Sequence, residues 1–265
     1  MLEHALKSLC QLGWRLDLLA PLEGGKTNAS YLVAFEKRRL VLRINHPNSL
    51  ALGIDRALEK SIMQALPQGI APSILFYNEQ YLLSEYIHSD QQAANASHEV
   101  DFLKALRLLH GINISGQPMD YIARLDFLLP DDQHHQWENL LQSLQALIAD
   151  FDRRFGKHEG LCHHDLVPQN ILWTPSGPRF IDWEYAAKGD IFFDLACIVE
   201  NHPFWQKKSV QLLDSYGLSA ELKPKLLLFR AIYWAISAAW CLRSGLPQEA
   251  SMVYIEKLIL QCRSC

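Results

Sequence analysis

Residues 162–184 constrain this chain more than any other stretch. They read Cys162-His163-His164-Asp165-Leu166-Val167-Pro168-Gln169-Asn170, then an apolar run, then Phe180-Ile181-Asp182-Trp183-Glu184. Residues 171–174 and 178–181 read as two short strands around Pro175-Ser176-Gly177, a cluster of turn formers. A hairpin there returns Asp182 to the end occupied by Asn170. An amide oxygen and a carboxylate so placed are hard ligands of the kind magnesium takes beside phosphate and water. Asp165 precedes Asn170 at the spacing Asp-x-x-x-x-Asn, in which the acid accepts the proton of an attacking hydroxyl and the amide holds metal. The set points to phosphoryl transfer from a nucleotide.

Plainer readings compete with this one. Cys162, His163 and His164 could ligate a metal, but no second His/Cys pair stands nearby at zinc-like spacing. Asp165 and Asn170 could simply cap a loop, since both residue types favour turns. That alternative weakens once Ile-Asp-Trp-Glu follows at the distance of one hairpin.

The first half supplies a candidate phosphate end. Leu22-Glu23-Gly24-Gly25-Lys26-Thr27-Asn28-Ala29-Ser30 reads as a strand, a glycine turn and a second strand. Gly24 and Gly25 let backbone N–H groups approach phosphate oxygens, and Thr27, Asn28 and Ser30 add side-chain donors. An ordinary Gly-Gly hairpin would look the same in isolation. Neither the Rossmann nor the Walker fingerprint is present. Arg43 sits on the apolar strand Val41-Leu42-Arg43-Ile44, where a guanidinium needs an anionic partner. Glu59, on a helix expected from about Ala51 to Leu66, is the candidate; the alternative is an outward-facing Arg43.

Taken together, these segments resemble the choline kinase / aminoglycoside phosphotransferase family of small-molecule kinases. The matching motifs are G-G-x-T-N, V-L-R-I, the R-x-x-E of Arg56 and Glu59, H-x-D-x-x-x-x-N, I-D-W-E-Y-A and Gly189-Asp190-Ile191-Phe192-Phe193-Asp194-Leu195-Ala196. They span about Pro21 to Asn201. I-D-W-E-Y-A-x-x-G-D-I brings the chain nearest to members acting on thiamine, with those acting on choline next. The resemblance implies an α+β, protein-kinase-like two-lobed fold: residues 1–87 as a β-rich N-lobe and 88–265 as a larger helical C-lobe. It implies ATP and Mg2+ as cofactors and a small, cationic alcohol as substrate. Asp165 would be the base. Asn170 and Asp182 would hold magnesium, with Glu184 as a nearby auxiliary acid. Arg43, paired with Glu59, stands where many relatives carry a lysine, and keeps both the charge and a bidentate reach. Ser84, Glu85, Tyr86 and Ile87 would form the hinge that meets adenine.

Substrate choice would fall to the last 70 residues, which are helical and rich in aromatics: Phe204, Trp205, Tyr233, Trp234, Trp240 and Tyr254. Trp234 and Trp240 could offer faces to a cation, with Glu200 as the acid, although six-residue spacing separates the two tryptophans around an ideal helix and core packing competes. Asp194 is expected to brace the loop after Asp182. The alternatives are an aminoglycoside substrate or a non-catalytic nucleotide-binding module. A protein kinase is disfavoured: no Ala-Pro-Glu follows Asp182, and residues 183–194 are too few for a peptide platform.

Bulk properties agree. The chain has 265 residues, 49% hydrophobic and 20% charged, enough for two cores. A net charge of −4 without basic runs excludes the usual nucleic-acid footprint. Residues 1–9 read as an amphipathic helix and not a secretory signal. Leu226 to Leu242 contains Arg230 and falls short of the roughly 20 residues a bilayer needs, so a buried helix is expected and no membrane partner. Six cysteines make no disulfide framework, which suggests the cytoplasm, and Cys262-x-x-Cys265 lacks the βαβ context of a redox motif. No motif specifies an oligomeric state.

Overall fold

A computed structural model describes residues 1–23, 27–89, 96–206, 208–246 and 252–263. Gly24, Gly25 and Cys265 lie outside them. The chain divides into two compact units: Met1–Asp101 with Gln169–Glu184, and Phe102–Pro168 with Tyr185–Cys265. The chain thus passes between units inside the H-x-D-x-x-x-x-N motif and again after Glu184.

The first unit is built on an antiparallel sheet. Its strands are β1 (Asp17–Leu22), β2 (Ala29–Phe35), β3 (Arg38–Ile44), β4 (Ile74–Tyr77) and β5 (Tyr81–Glu85), in the order β1-β2-β3-β5-β4. The β2–β3 turn puts Glu36 and Lys37 at positive φ, the two-residue hairpin geometry that matches strand twist. Helix α1 (Leu2–Gln11) is amphipathic as expected and buries Ala5 and Leu9 against Val33, Leu40, Leu42 and Leu83. Helix α2 (Arg56–Ala65) starts later than its apolar pattern suggested. Residues Ser49–Leu52 form a 3-10 turn that ends at left-handed Gly53. Asp55 then caps the helix proper, accepting from the N–H groups of Ala57 and Leu58 at 2.9 Å each. The expected hairpin is present as β7 (Ile171–Thr174) and β8 (Gly177–Phe180).

The second unit is mostly helical: the body of α3 (Ala96–His110), then α4 (Tyr121–Leu128), α5 (His134–Phe155), α6 (Phe192–Asn201), α7 (Ser209–Tyr216), α8 (Lys223–Ser244) and α9 (Met252–Arg263). A small ribbon pairs β6 (Glu159–Cys162) with β9 (Ala187–Asp190). Helix α8 and the turn before it are long and apolar enough to cross a membrane. Even so, 67% of the apolar window is buried within the structure. A helix apolar around most of its circumference is what a core position requires. Its one fully buried charge, Lys225, is held by Asp190 at 2.7 Å and by the Gly156 carbonyl at 2.7 Å. No disulfide forms among the described cysteines.

Candidate active site

In the sheet unit, Arg43, near the end of β3, turns inward and is buried, whereas Arg38 and Arg39 at the start of the strand are exposed. Arg43 Nη2 lies 2.7 and 2.8 Å from the two oxygens of Glu59, and Nη1 lies 3.3 Å from Asp182 Oδ1. A guanidinium buried in a sheet must find such partners. Burial works against its charge, but Glu59, then Asp182 and Glu184, outweigh it and its pKa is raised. Burial likewise works against Glu59, but Arg43, the Tyr77 hydroxyl at 2.6 Å and Arg56 hold its pKa below the ordinary carboxylate value.

Arg56, on the first turn of α2, extends this cluster. Its Nη1 bridges Glu59 at 2.8 Å and Glu184 at 3.1 Å. Its Nη2 donates to Asn28 Oδ1 at 2.9 Å and to Ser49 Oγ at 3.1 Å. Asn28 Nδ2 donates to Glu184 Oε2 at 2.7 Å, while its oxygen also accepts the His46 N–H. The Asn28 side chain, expected as a phosphate donor, is therefore committed to an internal crosslink. Thr27, beside it, is half-buried. The hairpin brings its ends together: Ile181 N donates to the Asn170 carbonyl at 3.0 Å, next to Asp182. Asp182 adopts φ 63°, an uncommon conformation for a residue with a side chain. Ser84 and Tyr86 stand at the end of β5. Ser84 is paired with Val41 and Ile74, and the Tyr86 N–H reaches the Arg39 carbonyl at 3.4 Å. Glu85 N likewise bonds the Ser73 carbonyl.

In the helical unit, Asp165 is half-buried and lies in the electrostatic neighbourhood of Cys197 and Tyr233. The loop before it is held by Asp194, which is fully buried on α6. Asp194 accepts from His163 N and His164 N at 2.8 Å each, and His110 Nε2 lies at 3.1 Å. Asp194 was expected to brace the segment after Asp182; its carboxylate instead braces the residues before Asp165. A carboxylate that takes two consecutive N–H groups fixes a peptide plane, and only the β6–loop–α6 geometry decides which loop it reaches. Burial opposes its ionisation, but His110 and the other nearby histidines keep its pKa lowered. His110, Cys162 and Asp194 lie close enough to ligate a metal. The Asp194 oxygens are already taken by the N–H groups of His163 and His164, and burial pushes the Cys162 thiol pKa up. The cluster is therefore a hydrogen-bonded brace.

The expected substrate residues are also engaged. Glu200 forms an ion pair with Arg230 of α8. Trp234 is half-buried and packs edge-on against Tyr233 at 5.2 Å. Trp240 Nε1 donates to the Tyr185 hydroxyl at 2.8 Å, and Arg124 lies over the Tyr185 ring at 5.5 Å. Sequence reasoning paired Arg43 with Glu59 but missed Asn28, Tyr77, His110 and Tyr121 as structural partners. Arg56 was visible only as part of the R-x-x-E motif.

Comparison with known proteins fits this geometry. Residues 19–227 match the phosphotransferase enzyme family (APH). The chain is 30% identical over 223 residues to thiamine kinase of Salmonella paratyphi A, covering 79% of this chain and 75% of that protein. The choline kinase LicA from Streptococcus pneumoniae has a TM-score of 0.76 at 19% identity, over 99% of this chain and 97% of its own. ADP-bound aminoglycoside phosphotransferase APH(2'')-Ib has a TM-score of 0.65 at 15% identity, over 98% and 95%. These likenesses establish the protein-kinase-like fold. The chain belongs to the phosphotransferase enzyme family and is a small-molecule kinase.

Proposed function

We propose that the chain transfers the γ-phosphoryl group of ATP to the hydroxyl of a small cationic alcohol, thiamine ahead of choline. The observation that carries this is the 30% identity to a protein named thiamine kinase, spread over most of both chains. The kinase set of two acids and an amide is intact: Asp165, Asp182 and Asn170. ATP use is supported by the ADP bound in a structural neighbour.

The residues fit magnesium. Asn170 and Asp182 offer hard oxygens from adjoining hairpin ends, and in the cluster three carboxylates (Glu59, Asp182, Glu184) face two arginines (Arg43, Arg56). Asn170 and Asp182 would hold the ion, with Glu184 fixed behind them by Asn28 and Arg56. Bound there, magnesium would neutralise charge on the phosphate oxygens. Arg43, anchored through Nη2 by Glu59 and through Nε by Asn45, would turn Nη1, which lies 3.3 Å from Asp182, toward phosphate. Asp165 would take the substrate hydroxyl proton on its carboxylate as oxygen attacks phosphorus and the bond to ADP breaks. Trp234 and Trp240 would supply aromatic faces to the cationic ring, each contact contributing about 0.5–2 kcal/mol. Glu200 is shared with Arg230, and Asp194 is buried. A poly-amino sugar, which needs several open acids, therefore ranks below thiamine and choline. We place the reaction in the cytoplasm.

Coupled ADP release with thiamine, choline, ethanolamine and kanamycin side by side tests this. Thiamine is expected to give the highest kcat/KM. Kanamycin ahead of both thiamine and choline would overturn the proposal.

A further inference from the structure

His164 immediately precedes Asp165 and is buried at φ 62°, in the left-handed region that a side-chain-bearing residue rarely adopts. Asp194 fixes its backbone N–H at 2.8 Å. A backbone anchor leaves the imidazole free to turn, so the ring needs its own support.

Beside a backbone hydrogen bond at Tyr185, that support comes from Tyr121, at the start of α4. Its hydroxyl lies 3.1 Å from His164 Nε2. Its ring stacks flat on Phe193 (5.2 Å, 5°) and takes Phe229 edge-on (5.4 Å, 89°), which immobilises the phenol. The His164 ring meets the same Phe193 at 5.0 Å. The Tyr121 oxygen also accepts the Asp190 N–H at 3.0 Å and lies 3.3 Å from the Asp190 carbonyl. Asp190 cannot drift, because its carboxylate is held by Lys225 and by the N–H groups of Phe192 and His158. Strand β9 passes so close that a Cβ on Gly189 would sit 2.6 Å from the Tyr121 oxygen and 2.7 Å from His164 Nε2. Only glycine fits beside this contact. Burial raises the Tyr121 pKa well above its ordinary value and lowers that of His164 to about 4, so both are neutral near pH 7. One phenolic proton then faces two acceptors, Nε2 and the Asp190 carbonyl, and its choice, together with the backbone hydrogen bond at Tyr185, sets the imidazole tautomer.

We propose that Tyr121 is a positioning residue for this reaction: its hydroxyl fixes the His164 ring and thereby the direction in which the next residue, Asp165, presents its carboxylate. The inference rests on the assignment of Asp165 as the base. It is distinct from the brace by Asp194, which acts on backbone alone.

Tyr121→Phe keeps both ring contacts and removes only the oxygen. With thiamine, or the panel alcohol giving most ADP, kcat is expected to fall about tenfold with the KM for ATP within twofold. His164→Asn suits the left-handed backbone. If the hydroxyl acts through the imidazole, adding Tyr121→Phe to His164→Asn causes no further loss. A wild-type kcat in Tyr121→Phe, or losses that multiply in the double variant, would overturn the proposal. Nitrogen-15 NMR of the wild-type imidazole is independent of how the variants fold: a single fixed tautomer is expected, and an averaging pair contradicts the proposal. Asp165→Ala separates the two levels. If it stays active, the base assignment fails; if it is inactive while Tyr121→Phe is normal, only the positioning role fails.

Discussion

In the sheet unit the candidate site is held by charge: Arg43 and Arg56 interlock with Glu59, Asp182 and Glu184. In the helical unit the loop carrying Asp165 is held mainly by hydrogen bonds, with the buried carboxylate of Asp194 taking two backbone N–H groups. The difference matches the two tasks proposed. A site for metal and phosphate must already balance several charges, so that adding ions disturbs it little. A base must keep its direction while its own charge changes, and hydrogen bonds to backbone N–H groups fix that direction geometrically. Charge therefore positions one half of the chemistry, and hydrogen-bond geometry the other.

The largest test of this contrast breaks the ion cluster. Glu59→Ala leaves two buried guanidiniums without their shared carboxylate, and breaking a buried pair from one side costs about 3–5 kcal/mol. Urea unfolding at neutral pH measures it. A loss under about 1 kcal/mol would mean that the cluster is not held by charge.

Acid should separate the two units next. Burial, opposed by Asp194, lowers the His164 pKa from 6.5 to about 4. Between those values the unfolded chain binds the proton and the folded one does not, so stability is full above pH 6.5 and declines toward pH 4. This single group contributes roughly 3 kcal/mol. His158 and His202 are lowered in the same direction by burial, and both belong to the helical unit. The lowered carboxylates Glu59 and Asp194 stabilise the fold at higher pH, and that stabilisation is lost only as the pH falls through and below the ordinary carboxylate range. Hydrogen exchange at pH 7 and pH 5 should therefore show helical-unit amides losing protection before those of the sheet. His164→Asn should flatten the decline in Tm over this window, and an unchanged slope would assign the acid sensitivity elsewhere.

A smaller effect is expected from Asn28→Ala. It removes hydrogen bonds to Glu184, Arg56 and the His46 N–H but leaves the Glu184 and Arg56 ions 3.1 Å apart, so the cost is about 1–2 kcal/mol. A loss as large as that of Glu59→Ala would make the amide, and not the charges, the organising element.

Local pattern made much of this fold legible. The 171–180 hairpin and β3 follow from short apolar runs, and α8 from a long, nearly uninterrupted apolar stretch. Arg43–Glu59 could be foreseen because a guanidinium on an apolar strand requires an anion. Long-range pairings were not legible. Asn28 and Glu184 meet across 156 positions, and nothing near Asn28 distinguishes an internal crosslink from a phosphate donor. Glu200 reads as an open acid until α8 places Arg230 against it. The start of α2 was missed because an apolar residue pattern runs through Gly53, and only the Asp55 cap shows where the helix begins.

The most direct test of the central claim is turnover of Asp165→Ala measured beside its affinity for ADP. If Asp165 is the base, kcat falls by ~10²–10⁴ while ADP binds as in the wild type. Near-normal turnover with unchanged ADP binding would contradict the account.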